Sequence, residues 1–276
     1  MKQYSDKIAL VRNSRGVYCL DTTMGCGSGL ESDPRGCYGD CYAARSARAY
    51  GYDFSKTVLR RFENRAHERR VIAQINRANL DFVRIGCSGD PSEDWPHTVS
   101  ILRVIANCNK EIVLITKHWT ALTDEQLEFF STLNICVNTS VSALDKPELL
   151  ANSLFQYSRL RPFCRSVLRI VSAEFNLENE HGIRCNEIQK ALFQNGQVID
   201  TVLRVGENNP IVTQGIVKIK KGIFMGKKCY MSKHDKKTFT GKCDKCREMC
   251  GITINNDGYA YKRTLSKQLQ LFIGKL

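Results

Sequence analysis

Three thiols crowd one glycine-rich stretch near the start of the chain, GCGSGLESDPRGCYGDCYAAR (residues 25–45): Cys26, Cys37 and Cys41, spaced C-x10-C-x3-C. Four more, Cys229, Cys243, Cys246 and Cys250, fall in GKKCYMSKHDKKTFTGKCDKCREMCG (residues 226–251). Thiolates at this density ligate zinc or iron–sulfur clusters. The first group has no histidine in its loop, and zinc would recruit a fourth ligand. Three thiolates instead saturate three irons of a [4Fe–4S] cube and leave the fourth open, and an open metal position marks a reactive site. Cys19 is an alternative third ligand. The second group, with its C-x2-C-x3-C run, reads as a second [4Fe–4S] cluster or a zinc site, and His234 is an alternative ligand there. The remaining six cysteines (Cys19, Cys87, Cys108, Cys136, Cys164, Cys185) are scattered through apolar surroundings and read as small buried hydrophobes.

These groups must be positioned by a scaffold, and short apolar runs alternating with helical patterns supply one. The strands expected are 17–20, 82–85, 112–115, 135–138, 166–171 and 198–203. Helices are expected over 42–50, 55–79, 98–107, from a Thr123-Asp124 cap through Phe130, from Lys146-Pro147 onward, and over 184–195. Strand–helix alternation implies βαβ units and a parallel sheet, hence an α/β fold. Six units fit a partial (β/α)6 TIM-like barrel, whose function sits at the C-terminal ends of the strands. The residues that break the pattern collect there: the cysteine loop, Ser88-Gly89-Asp90, Thr116-Lys117, Asn138-Thr139-Ser140, Arg169 and Arg204. After about residue 210 the pattern stops, so residues 1–210 read as the barrel and 211–276 as a Cys/Lys-rich module.

The 276 residues suffice for a full core, and 42% hydrophobic with 25% charged residues is ordinary for a soluble globular protein. No apolar run approaches the roughly 18 residues of a membrane span. The N-terminus lacks the unbroken apolar segment of a secretory signal, so a cytoplasmic protein is expected. In a reducing compartment clustered thiols point to metal rather than disulfides. The net charge of +13 is uneven: residues 218–247 carry ten lysines and one arginine against Asp235 and Asp244. Arg61, Arg65 and Arg69 recur every fourth residue, as on one helical face. Such patches attract polyanions such as nucleic acid, and equally serve as a solvated surface.

A three-cysteine loop after the first strand of a (β/α)6 pattern resembles the radical S-adenosylmethionine (SAM) superfamily. GCYGDCYAAR is most similar to the branch of spore photoproduct lyase and its phage-encoded relatives. The resemblance spans roughly residues 15–205, although the superfamily's commonest spacing is C-x3-C-x2-C. RIGCSGDP stands where the family has a glycine-rich motif touching the SAM amino group. LITK resembles the branch's Thr-Lys, and VNTSVSALD the fourth-strand segment that meets the SAM ribose and carboxylate. The resemblance implies that Cys26, Cys37 and Cys41 hold a [4Fe–4S] cluster, and that Ser88, Gly89 and Asp90 approach the SAM amine. It implies that Lys117, Asn138 and Ser140 meet the carboxylate or ribose, and that Tyr38 and Tyr42 pack near adenine. Cys87 would be a hydrogen-atom donor to a product radical, or else a structural thiol. The implied chemistry is reductive cleavage of SAM to a radical that abstracts hydrogen from a substrate. An electron donor such as flavodoxin or ferredoxin would be a partner, and the barrel would supply positioning.

The basic charge favours a nucleic-acid base or nucleotide as substrate, in modification or repair. The rivals are a radical SAM enzyme acting on a peptide or small metabolite, and a zinc-stabilised, non-enzymatic nucleic-acid-binding protein.

Overall fold

The computed structural model describes residues 2–33, 35–39, 41–194 and 197–252. Its strands are β1 (Val11–Arg12), β2 (Tyr18–Cys19), β3 (Thr23–Met24), β4 (Val58–Leu59), β5 (Phe82–Ile85), β6 (Glu111–Thr116), β7 (Ile135–Val141), β8 (Arg165–Ser172), β9 (Glu174–Phe175), β10 (Val198–Val202), β11 (Val217–Lys218), β12 (Lys220–Phe224) and β13 (Lys227–Met231). Its α-helices are α1 (Gly27–Ser32), α2 (Tyr42–Ala49), α3 (Arg65–Arg77), α4 (Trp95–Ile105), α5 (Asp124–Ser131), α6 (Pro147–Leu160), α7 (Glu180–Phe193) and α8 (Pro210–Thr213).

All six strands expected from the apolar runs form, and they lie side by side in chain order in one sheet, β1-β2-β5-β6-β7-β8-β10. Every neighbour pair from β2 to β10 is parallel, and β1 adds an antiparallel edge. This is an α/β fold with a mostly parallel central sheet. Among the described residues its two edges do not pair with each other, so they form no closed barrel.

Side-chain alternation sorts the strands into two faces. On β7, Ile135 and Val137 join Val71 and Ile75 of α3, Leu102 of α4 and Phe130 of α5 in one buried cluster. Val141 joins Leu154 and Tyr157 of α6 in another. The other face carries Val17, Phe82, Val113, Cys136, Val167 and Ile199, one from each parallel strand or its start, packed together with Cys250. Arg84 of β5, Arg169 of β8 and Leu203 after β10 line a single cavity with the cysteine loop, so the sheet curls around that space.

The helix starts follow their capping chemistry. Thr123 and Gln126 form a reciprocal capping box on α5, and Pro147 sits at the first turn of α6. One expectation is overturned. Residues 55–79 are not one helix: Val58–Leu59 pair with β3, and the helix begins only at Arg65, where the Asn64 side chain accepts the His67 N–H. Arg61 bonds the backbone of Asp6 and Ile8 instead of lying on the helix, so Arg61, Arg65 and Arg69 share no helical face. Asn64 explains the boundary, because a strong N-cap fixes where a helix starts.

Beyond residue 210, the described chain to Ile252 is stitched to the sheet. β11 pairs with β9, Leu203 bridges to Ser232, and Cys250 enters the interior cluster. Residues 253–276 of the expected C-terminal module lie outside the described residues. Among the described residues no helix is long and apolar enough to cross a membrane.

Candidate active site

Cys26, Cys37 and Cys41 all line one cavity at the C-terminal ends of the parallel strands, enclosing about 980 Å³ of empty space with its open mouth included. Helix starts place two of them. Cys26 is the residue before α1, and Cys41 the residue before α2. The loop is sewn to the sheet by backbone bonds: Gly25 N–H donates to Ser88 O at 3.0 Å, and Cys26 N–H to Phe54 O at 2.9 Å. Gly25 has φ +80°, and a Cβ there would stand 2.2 Å from Lys56 O, so only glycine fits.

Cys26 and Cys37 are hydrogen-bonded, and their surroundings favour the neutral thiol. Cys26 donates to Glu93 Oε1 at 3.2 Å, and Glu93 also accepts from Ser28 N–H and from the Thr57 hydroxyl. Burial, then the carboxylates of Asp90 and Glu93, push the Cys26 thiol pKa far up. Cys37 is raised by its hydrogen bond to Cys41 and then by burial. Glu93 escaped the sequence reading because nothing in the order of residues brings it to Cys26.

The wall facing the cysteines is built by two buried carboxylates. Asp21 accepts the backbone N–H groups of Gly86, Cys87 and Ser88 at 2.9, 2.7 and 3.1 Å. Burial raises its pKa, and those three donors oppose the rise. The turn therefore presents a fixed backbone, and at Gly89 a Cβ would meet Thr23 O at 2.5 Å. Asp90 Oδ1 accepts from Ser92 N–H, the Ser92 hydroxyl and the Thr116 hydroxyl, and its Oδ2 from Lys117 N–H. Oδ1 is saturated by these bonds, leaving one lone pair on Oδ2 for any ligand. Asp90 is thus first a tie between the β5 and β6 ends.

The other expected residues divide. Tyr38, Tyr42, Cys87, Gly89, Asp90, Lys117 and Ser140 line the cavity with the three cysteines. Ser88 stands in the turn between them, with its carbonyl bonded to Gly25. Tyr42 donates its hydroxyl to Cys87 O at 2.8 Å. The Lys117 ammonium lies over the Tyr38 ring and against Asp145. Cys87 Sγ sits 2.7 Å from Cys19 Sγ. Asn138 is the exception: its side-chain amide donates to Cys250 O at 3.0 Å, deeper in the interior and off the cavity wall. It is two residues short of Ser140, which places it one step down the inward row of β7.

The second cysteine group is also divided. Cys243, Cys246 and Cys250 line a lower pocket with Arg84 and Arg169, whereas Cys229 sits on β13 opposite Gly222 and off that wall. Arg84 donates to the thiols of both Cys243 and Cys250. Burial alone would raise the Cys243 thiol, yet Arg84, Arg15 and Arg169 outweigh it and hold the pKa below the ordinary value. His234 bonds Gln189 and stacks on Phe193, so it serves packing.

Among the described residues no three His, Cys, Asp or Glu side chains converge as a ready metal cage. The donor chemistry of the upper cavity is nevertheless selective: its walls carry four thiols, those of Cys26, Cys37, Cys41 and Cys87, and no histidine. That set suits iron–sulfur ligation better than a mixed-ligand zinc site. No protein-family model matches the chain, and no curated protein is similar to it.

Proposed function

We propose that the chain is a radical SAM enzyme built on a partial (β/α)6 barrel, acting on a nucleic-acid base or nucleotide. One observation carries the reading. Cys26, Cys37 and Cys41, with ten and three residues between them, line one cavity together with Gly89, Asp90, Lys117 and Ser140 from the ends of successive parallel strands. That lining supports a reading in which metal chemistry and a polar small-molecule site share one space.

In this reading Cys26, Cys37 and Cys41 hold a [4Fe–4S] cluster, which when bound supplies an electron and an open coordination position for reductive cleavage of SAM. Deprotonation of the three thiols accompanies ligation, and Cys26 turns off Glu93. The Gly86–Gly89 turn, rigid on Asp21, offers backbone to the methionine end of SAM. Ser140 offers a hydroxyl. Lys117, fixed by Asp145, holds the Tyr38 ring against the cavity. Cys87 presents a thiol at the wall with Cys19 behind it.

Cys243, Cys246 and Cys250 would hold the second cluster or zinc. The lysine-rich segment 218–247 supports an anionic partner, since such patches attract polyanions.

The test is anaerobic purification, iron and sulfide analysis, and detection of 5′-deoxyadenosine after adding SAM and a strong reductant. Iron, sulfide and SAM-dependent 5′-deoxyadenosine support the enzyme. A colourless protein carrying only zinc overturns it in favour of a structural zinc protein.

A further inference from the structure

We propose that Arg15, Arg84, Arg169 and Arg204 form an anion subsite at the floor of the cavity, one that takes the terminal phosphate of a small phosphorylated substrate. The proposal names the substrate class of the site read above as a radical SAM centre, and it rests on that reading for what happens to the bound molecule.

All four arginines line both the upper cavity and the pocket beneath it, so their guanidinium groups meet where the two spaces join. Register explains part of this convergence. Arg169 pairs with Ser140 across β7 and β8, and Arg84 pairs with Val113 and Cys19, which puts each on the inward row. Two are held by their flat faces: Arg15 and Arg204 stack on the Tyr42 ring at 4.6 and 4.8 Å, and Arg204 also covers Phe224 at 4.4 Å. Stacking leaves the N–H edges of a guanidinium available for hydrogen bonds.

Among the described residues these cations lack a carboxylate in salt-bridge contact, and Glu248 acts on Arg169 only through space. Arg84 is fully buried, its bonds run to the thiols of Cys243 and Cys250, and its Nε has no partner. The lower pocket contains two acids, Asp200 and Glu248. Asp200 is engaged by the hydroxyls of Ser172 and Thr238. Like charges gathered in a low-dielectric interior are strongly unfavourable unless an anion joins them.

SAM does not fill this need, because its single carboxylate satisfies one guanidinium and its ammonium is repelled by the rest. Thiolates at Cys243 and Cys250 take hydrogen bonds from Arg84, and Cys243 also feels Arg15 and Arg169 through space, but Arg204 is left without one and no oxygen acceptor is supplied to any of the four. A phosphate monoester is a dianion with oxygens on all sides, which planar donor forks bind bidentately. Depth selects a small molecule over a polymer. Arg84 is fully buried, and Cys250, which lines the lower pocket beside it, packs into the sheet interior, so a ligand that reaches all four arginines ends there. A nucleic-acid backbone would have to leave again.

The experiment is calorimetric binding to the full-length, anaerobically purified protein, comparing UMP, uridine, inorganic phosphate, succinate and a single-stranded oligonucleotide. UMP should bind at least about tenfold more tightly than uridine, and inorganic phosphate should compete with it. Arg169→Gln and Arg204→Gln should each remove about tenfold of that preference. Arg103→Gln, on the helix-covered side of the sheet, should leave it unchanged. Because Arg84 is buried and its replacement endangers folding, the Arg169 and Arg204 variants carry the test. Equal binding of UMP and uridine overturns the subsite. So does arginine-dependent binding of succinate or the oligonucleotide without UMP binding. The readout uses neither SAM nor reductant: a preference for UMP in a protein that makes no 5′-deoxyadenosine would keep the subsite and reject the radical reading.

Discussion

The Lys117 ammonium stands 2.6 Å from each oxygen of the Asp145 carboxylate, with both side chains buried at the end of the central strands. Asp145 also accepts the Ser142 N–H, so the carboxylate ties the β7 exit to the β6 exit. Removing one partner strands a buried charge, which costs about 3–5 kcal/mol. Asp145→Asn should therefore unfold at clearly lower urea than wild type, while Lys117→Met/Asp145→Leu recovers most of the loss. A double variant no more stable than Asp145→Asn would mean the pair is held by something other than mutual charge.

Asp21 organises the turn facing the cysteines, and Asp21→Ala leaves three interior N–H groups without their acceptor. At about 1–3 kcal/mol for each unsatisfied buried group, the turn loses its fixed conformation before the whole domain unfolds. We expect faster amide exchange at Gly86–Ser88 and weakened SAM binding by calorimetry. Asp21→Asn keeps one acceptor oxygen and should fall between the two. Exchange unchanged in Asp21→Ala would sink this account.

His118 is fully buried, bonded through Nε2 to the Thr139 hydroxyl at 3.0 Å, and burial pushes its pKa down to about 3. The unfolded chain binds a proton on this ring near pH 6.5. Between these values the unfolded state holds the extra proton, so this contribution is complete above pH 6.5 and is lost as pH falls toward 3. Its full size is of order a few kcal/mol. His118→Asn, chosen because the residue has φ +56°, should flatten the fall in urea midpoint between pH 7 and pH 5. An equally steep fall in the variant would assign the acid sensitivity elsewhere.

The cysteine groups predict a pattern of metal content. Cys26→Ala, Cys37→Ala and Cys41→Ala should each abolish 5′-deoxyadenosine formation and remove about four irons per chain. Cys243→Ser and Cys250→Ser should release the second metal complement. Cys229→Ser should retain it, because Cys229 lies on β13 away from the pocket wall. Loss in all three C-terminal variants would show that β13 folds back to ligate.

How much of this was legible in the linear order differs by element. The six parallel strands were, because buried strands are continuous apolar runs and hydrophobicity is written locally. The α5 cap was, since Thr123 and Gln126 lie within one turn of each other. The start of α3 was not. Residues 55–64 have a helical apolar rhythm, yet pairing of Val58–Leu59 with β3 and the Asn64 cap prevailed.

The site shows the same divide. By itself the sequence determined the cysteine groups, the glycine turn after β5 and the six apolar strands, since each depends on residues within a few positions of one another. Only the tertiary structure decided that Glu93 meets Cys26, that Asp21 holds the turn, that Asn138 faces Cys250 and not the cavity, and that four arginines from distant parts of the chain share one floor. Those partners lie tens to more than a hundred residues apart in the chain. Strand register and the curl of the sheet bring them together, and neither is encoded in any local pattern.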